Sequence, residues 1–162
     1  MKRFFITERS DRAALIARLT LGLVIFPHGA QKLFGLFGGY GFTNTMDYFT
    51  THMHLPWLLA FLVIMIESIG SICLIAGFAT RFWAIAMFIN FVGIIATAHI
   101  KHGFFMNWNM MPDMPEGFEY HLLVIGLCII LIVVGGGKWS VDAAMHHQPA
   151  AAIRSDRIAE VV

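Results

Sequence analysis

LPWLLAFLVIMIESIGSICLIAGFATR, Leu55 to Arg81, decides between a soluble and a membrane fold. From Pro56 to Phe78 the only formally charged residue is Glu67. A bilayer core about 30 Å thick takes about 20 mostly apolar residues as a helix, and this stretch supplies them. Only Ala79–Arg81 separates it from the next apolar run, Phe82 to Ile100, so the two form a tight antiparallel hairpin. Working outward, a span precedes the hairpin at about Ala13 to Leu33. A shorter one follows it at Phe118 to Val134, ended by Gly135–Gly137. The expected fold is an all-α integral membrane four-helix bundle. Residues 1–12 precede the four-span domain (13–144), and a polar tail (145–162) follows it.

Composition agrees. The 162 residues are 58% hydrophobic and 13% charged, against about 25% charged in a typical soluble domain. Mean hydropathy is +0.72. A net charge of +1 and the lack of a basic stripe interleaved with aromatics argue against a nucleic-acid partner. Cys73 and Cys128 lie singly in apolar runs and read as packing thiols, not as a disulfide framework or zinc ribbon. MKRFF starts basic like a signal peptide. The apolar run is delayed to Ala13, contains Arg18 and lacks a small-residue cleavage site, so it reads as a retained helix.

Basic residues set the expected orientation. Lys2, Arg3, Arg9 and Arg12 precede the first span, Arg81 marks the short loop, and Lys138, Arg154 and Arg157 follow the last. The positive-inside rule puts both termini and the short loop in the cytoplasm of a multi-pass bacterial inner-membrane protein. Trp57, Trp83, Trp108 and Trp139 fall near span ends, as interfacial anchors do. In the first outer loop, Thr43 as N-cap followed by Met46, Phe49 and Met53 predicts a short interfacial helix. GGGKWS lacks the full phosphate-loop pattern and follows a helix, so it reads as a helix stop. His146 and His147 read as a solvated pair in the tail.

Charged residues in a bilayer are costly and usually face the bundle interior. Glu67 lies about halfway through its span. Arg18, about 9 Å into the first span, is its expected partner, either locking two helices or handling substrate and protons. Relative to Arg18, His28 falls at about 280° and Lys32 at about 320° on the helical wheel, one inward sector. In the third span Asn90, Thr97 and Lys101 share a face, with His99 about opposite Asn90. Asn90 is therefore expected inward, with His99 and His102 turned to a neighbouring helix or the outer loop. At the start of the last span Glu119 is expected inward and His121 on a different face. Catalytic candidates are thus Glu67, His28 and Glu119; substrate-binding candidates are Arg18, Lys32, Asn90 and Lys101. The outer side also gathers histidines and the methionines Met106, Met110, Met111 and Met114. Histidine with thioether sulfur suits copper, making His99, His102, His121, Met110 and Met111 a candidate metal set.

RLTLGLVIFPHGAQKLFG in the first span, the Leu55–Arg81 stretch, HGFF at 102–105, GFEYHLL before the fourth span and GGGKWSVD after it together resemble the DoxX/DoxD family of small bacterial membrane proteins. MNWNMMPDMPE, residues 106–116, departs from it in length and methionine content. The resemblance implies a four-helix inner-membrane oxidoreductase and a shared polar set of Arg18, His28, Lys32, Glu67 and Glu119, with Ser140 and Asp142 after the last helix. Two functions are then expected. One is an oxidoreductase subunit acting on quinone, quinol or a small thiol or sulfur substrate in an outward-facing intramembrane pocket, with a redox partner protein; quinone leads as cofactor, ahead of haem or copper. The other is a non-catalytic binder or transporter of copper or a small solute, or a scaffold for a redox complex. A homo-oligomer is compatible with either.

Overall fold

A computed structural model describes residues 11–145. The readings that fall on Lys2, Arg3, Arg9, His146, His147, Arg154 and Arg157 lie outside the described residues. Among the described residues all regular structure is helical. Three helices are long and apolar enough to cross a membrane: α1 (Arg12–Phe34), α3 (Trp57–Ala76) and α4 (Thr80–His102). Between α1 and α3 lies α2 (Gly41–Asp47). After the second long loop come α5 (Glu119–Val134), apolar but only 16 residues, and the short α6 (Val141–Met145).

Local chemistry explains the boundaries. The Asp11 carboxylate accepts the Ala14 N–H at 2.9 Å and caps α1. Gly35, with φ of 72°, ends it in the left-handed conformation that glycine adopts without strain. α2 begins after Tyr40, so Thr43 lies inside the helix and not at its N-cap. α2 seats Met46 against Ala60 and Ile64 of α3. The central core joins Leu21 and Ile25 of α1 to Leu74, Met87, Val124, Cys128 and Leu131. Cys128 is buried there, and both it and Cys73 are free thiols.

α1 and α3 meet backbone to backbone. A Cβ added at Gly29 would lie 2.3 Å from the Glu67 carbonyl oxygen, and one at Gly22 2.9 Å from that of Ser71. Small residues seven apart on one helical face make that approach possible.

The short-loop end is held by two polar devices. The Arg18 side chain, 2% exposed, donates to the carbonyls of Gly136 (2.9 Å), Leu74 (3.3 Å), Lys138 (3.2 Å) and Trp139 (2.9 Å), and to that of Ile75. This corrects the expected Arg18–Glu67 pair. The Ile75 carbonyl at the end of α3 and those of the Gly136–Trp139 turn after α5 need donors, and the guanidinium's five-donor fork meets them. Glu67 finds its cation elsewhere. In the second device, Asp142 accepts the N–H groups of Ala79 (2.7 Å) and Thr80 (2.8 Å). It thereby caps α4 at a residue with φ of 48°. Asp142→Ala is expected to lower stability by about 0.5–2 kcal/mol, the range for a lost cap, measured by reversible unfolding in mixed micelles. An unchanged midpoint would refute this role.

Three π-helical turns interrupt the helices, at Tyr48–His52, Ile66–Gly70 and Ile95–His99. Each contributes residues to the wall of one cavity. Such wide turns recur at functional sites because they re-aim side chains within a helix.

Candidate functional site

The cavity has a volume of about 650 Å³ and lies toward the long-loop end of the bundle, between α1, α3, α4 and the start of α5. Its wall is mostly apolar, including Leu59, Leu62 and Ile66 of α3 and Ile89 and Ile94 of α4. Polar groups gather in two places.

The first is centred on Glu67, which is 3% exposed. Its Oε2 accepts from Lys32 Nζ at 2.7 Å, an ion pair, and its Oε1 accepts from Asn90 Nδ2 at 3.3 Å. Three helices thus meet at one carboxylate. His28 stands one turn before Lys32 on α1 and lines the same cavity. The structure therefore brings His28, Lys32, Glu67 and Asn90 together at one cavity, while Arg18 is not among the lining residues.

The second pairs His99 with His121, ring centroids 4.3 Å apart. His99 Nδ1 lies 2.8 Å from the Glu116 carbonyl, which can only accept, so it is the donor. His121, 6% exposed, also packs against the Phe91 ring at 5.6 Å. Among the described residues its Nδ1 has no hydrogen-bond partner, and neither does the buried Tyr120 hydroxyl. Both residues border the cavity.

Several expectations are corrected here. At the start of α5 the inward residue is His121. Glu119 is half-buried, and its carboxylate accepts the Met106 N–H at 3.0 Å, tying the loop to the helix. Asn90 faces inward and His99 turns to a neighbouring helix and the outer loop as expected, yet His99 lines the cavity too. The π turn at Ile95–His99 breaks the 100° step that placed them on opposite faces. Beyond it the helix tightens into a 3₁₀ turn, Ile100–His102. Lys101 and His102 are exposed there and do not line the cavity. Met110, 88% exposed, and Met111 lie in a loop braced by Asn107, whose amide donates to the Met111 and Met114 carbonyls at 2.8 and 2.7 Å. They do not join the histidines at the cavity wall. Among the described residues no group of three His, Cys, Asp or Glu side chains is placed to hold a metal ion, so His99, His102 and His121 form no such set. Tyr120 is the residue the sequence reading passed over. Its only sequence signal is a hydroxyl beside His121 at the mouth of an apolar run.

The DoxX family model matches residues 13–100 of the chain. The chain belongs to the DoxX family. The matched DoxX segment contains His28, Lys32, Glu67 and Asn90, and ends before Tyr120 and His121. The chain is also similar to a Bacillus subtilis (strain 168) protein named "Putative oxidoreductase CatD". They are 28% identical over 117 residues, covering 72% of this chain and 76% of that relative. No solved structure matches it. Its spanning helices and its family make this DoxX chain a helical membrane protein.

Proposed function

We propose that this DoxX protein is an inner-membrane oxidoreductase component whose cavity receives a quinone or quinol. The observation that carries the reading is a buried carboxylate, Glu67, held between Lys32 and Asn90 in the wall of a largely apolar cavity inside the spans. Apolar walls with a few convergent polar groups are the usual build of a small-molecule site. Similarity to a relative named as an oxidoreductase supports the class of reaction.

Oxidation of a quinol to a quinone releases two protons and two electrons. The electrons pass to a redox centre on a partner protein. Glu67 and His28 take the protons, as a carboxylate and an imidazole at the cavity wall. The Lys32 ammonium offsets negative charge on the oxygen as its proton leaves. Arg81 and Lys138 at the short-loop end support a cytoplasmic placement of that end under the positive-inside rule, with the cavity and α2 toward the outer face.

Gently purified protein is expected to carry quinone in its lipid extract. Membranes containing Glu67→Gln or His28→Ala are expected to oxidise quinol at least tenfold more slowly than wild type, because a positioned proton acceptor contributes about 10²–10⁴ in rate. Quinone-free protein with variants that match wild type would overturn the reading.

A further inference from the structure

We infer that the cavity is entered sideways from the lipid, through a gap between the outer halves of α3 and α4, and that its substrate is therefore a tailed, lipid-soluble molecule with an oxygen-bearing ring. This rests on the quinone reading and narrows it.

α3 and α4 pack most closely toward the short loop. Near the short loop they are in contact, where a Cβ on Gly70 would come within 2.8 Å of the Trp83 ring. Asn90 still reaches Glu67. Past Glu67 the outer half of α3 packs mainly against α1 and α2 and far less against α4. Apolar side chains line both edges of the opening this leaves: Leu59 and Leu62 on α3, Ile89 on α4. All three are exposed and also line the cavity, so the wall is continuous with the lipid-facing surface. Gly93 stands on the α4 edge, and a Cβ built there meets nothing within 4 Å. That absence of side chain keeps the gap open.

The head group end is equally specific. Tyr120 and His121 border the cavity from α5 and carry a buried hydroxyl and ring nitrogen without a hydrogen-bond partner among the described residues. Buried polar atoms are almost always hydrogen-bonded, so these two point to a ligand bearing oxygen. A ring with two oxygens answers them at one side and the Lys32–Glu67–Asn90 cluster at the other. Its tail leaves between Leu62 and Gly93 into the acyl chains. A small water-soluble thiol has no use for such a gap.

The test uses the full chain in lipid nanodiscs, with empty nanodiscs subtracted, and two quinones sharing one head group, one with a ten-carbon tail and one without. Gly93→Phe and Leu62→Trp plug the gap from opposite edges. Each is expected to weaken the tailed quinone at least tenfold and the tail-less one less than twofold. Gly126→Phe serves as control, since Gly126 also has open space around it but does not line the cavity; it is expected to change neither. Equal loss of both quinones, undiminished binding of the tailed one, or a wild type that binds neither overturns the inference. A misfolded variant loses both ligands, so the ratio between them is judged on whichever plug retains tail-less binding and wild-type helix content. The two readings fail differently. Gap-dependent binding with turnover indifferent to Glu67→Gln keeps the portal and removes the redox role. Glu67-dependent turnover with tail-less quinone favoured equally does the reverse.

Discussion

Lys32→Met alone is expected to destabilise the folded bundle by up to about 3–5 kcal/mol, the range for breaking a fully buried ion pair by removing one partner, with solvent access to Lys32, 25% exposed, drawing the loss toward or below its lower end. Lys32 Nζ lies 2.7 Å from Glu67 Oε2, and the Glu67 side chain is 4% exposed. Without the ammonium, the carboxylate keeps only the Asn90 amide at 3.3 Å, too little to offset burial of a charge. Removing both charges together, in Lys32→Met with Glu67→Met, is expected to recover most of the loss, since a packed apolar pair replaces a costly ionic one. Reversible unfolding of the two single variants and the double variant in mixed micelles measures the coupling. Additive losses would show that the two side chains do not act as a pair. The same cycle separates folding from function. The double variant is expected to be stable and yet inactive with quinol, because it retains neither the proton acceptor nor the cation.

Arg18 carries the other large effect. Its guanidinium serves five carbonyls from the end of α3 and the Gly135–Ser140 segment. The Leu74 carbonyl also accepts the Gly77 N–H, and lysine offers three donors at most, so at least one of the other four carbonyls is left open. Each buried unsatisfied group costs about 1–3 kcal/mol. Arg18→Lys is therefore expected to lose at least about 1–3 kcal/mol, and Arg18→Met to leave too little stability for folded protein to accumulate. Yield in the membrane fraction and the unfolding midpoint of the lysine variant check both. Folded Arg18→Lys is expected to bind the tailed quinone like wild type, because Arg18 does not line the cavity. A variant with normal stability and lost quinone binding would return Arg18 to the site.

Much of the architecture was legible because the bilayer imposes a local rule. About 20 apolar residues make a span wherever they occur, so Pro56–Phe78 and Phe82–Ile100 could be read without knowing their neighbours. Glu67 stood out for the same reason, as a charge where charge is expensive. His28 and Lys32 followed from helical spacing along α1, which contains no π turn.

The partners of those residues were a different matter. Depth in the membrane matched Arg18 to Glu67, but depth does not register which backbone carbonyls a glycine turn leaves open. Only the folded chain brings Gly136, Lys138 and Trp139 to Arg18, 118 to 121 residues apart in sequence. Helical-wheel angles separated Asn90 from His99, and a π turn between them reunited the two at one cavity. At α5 the choice between Glu119 and His121 was settled by a loop N–H that engaged the carboxylate. The sequence by itself determined which segments cross the membrane and which polar groups they carry, because hydrocarbon thickness and desolvation cost act on each segment alone. The tertiary structure decided which of those groups meet, since that depends on π turns, loop closure and backbone contacts that no single segment contains.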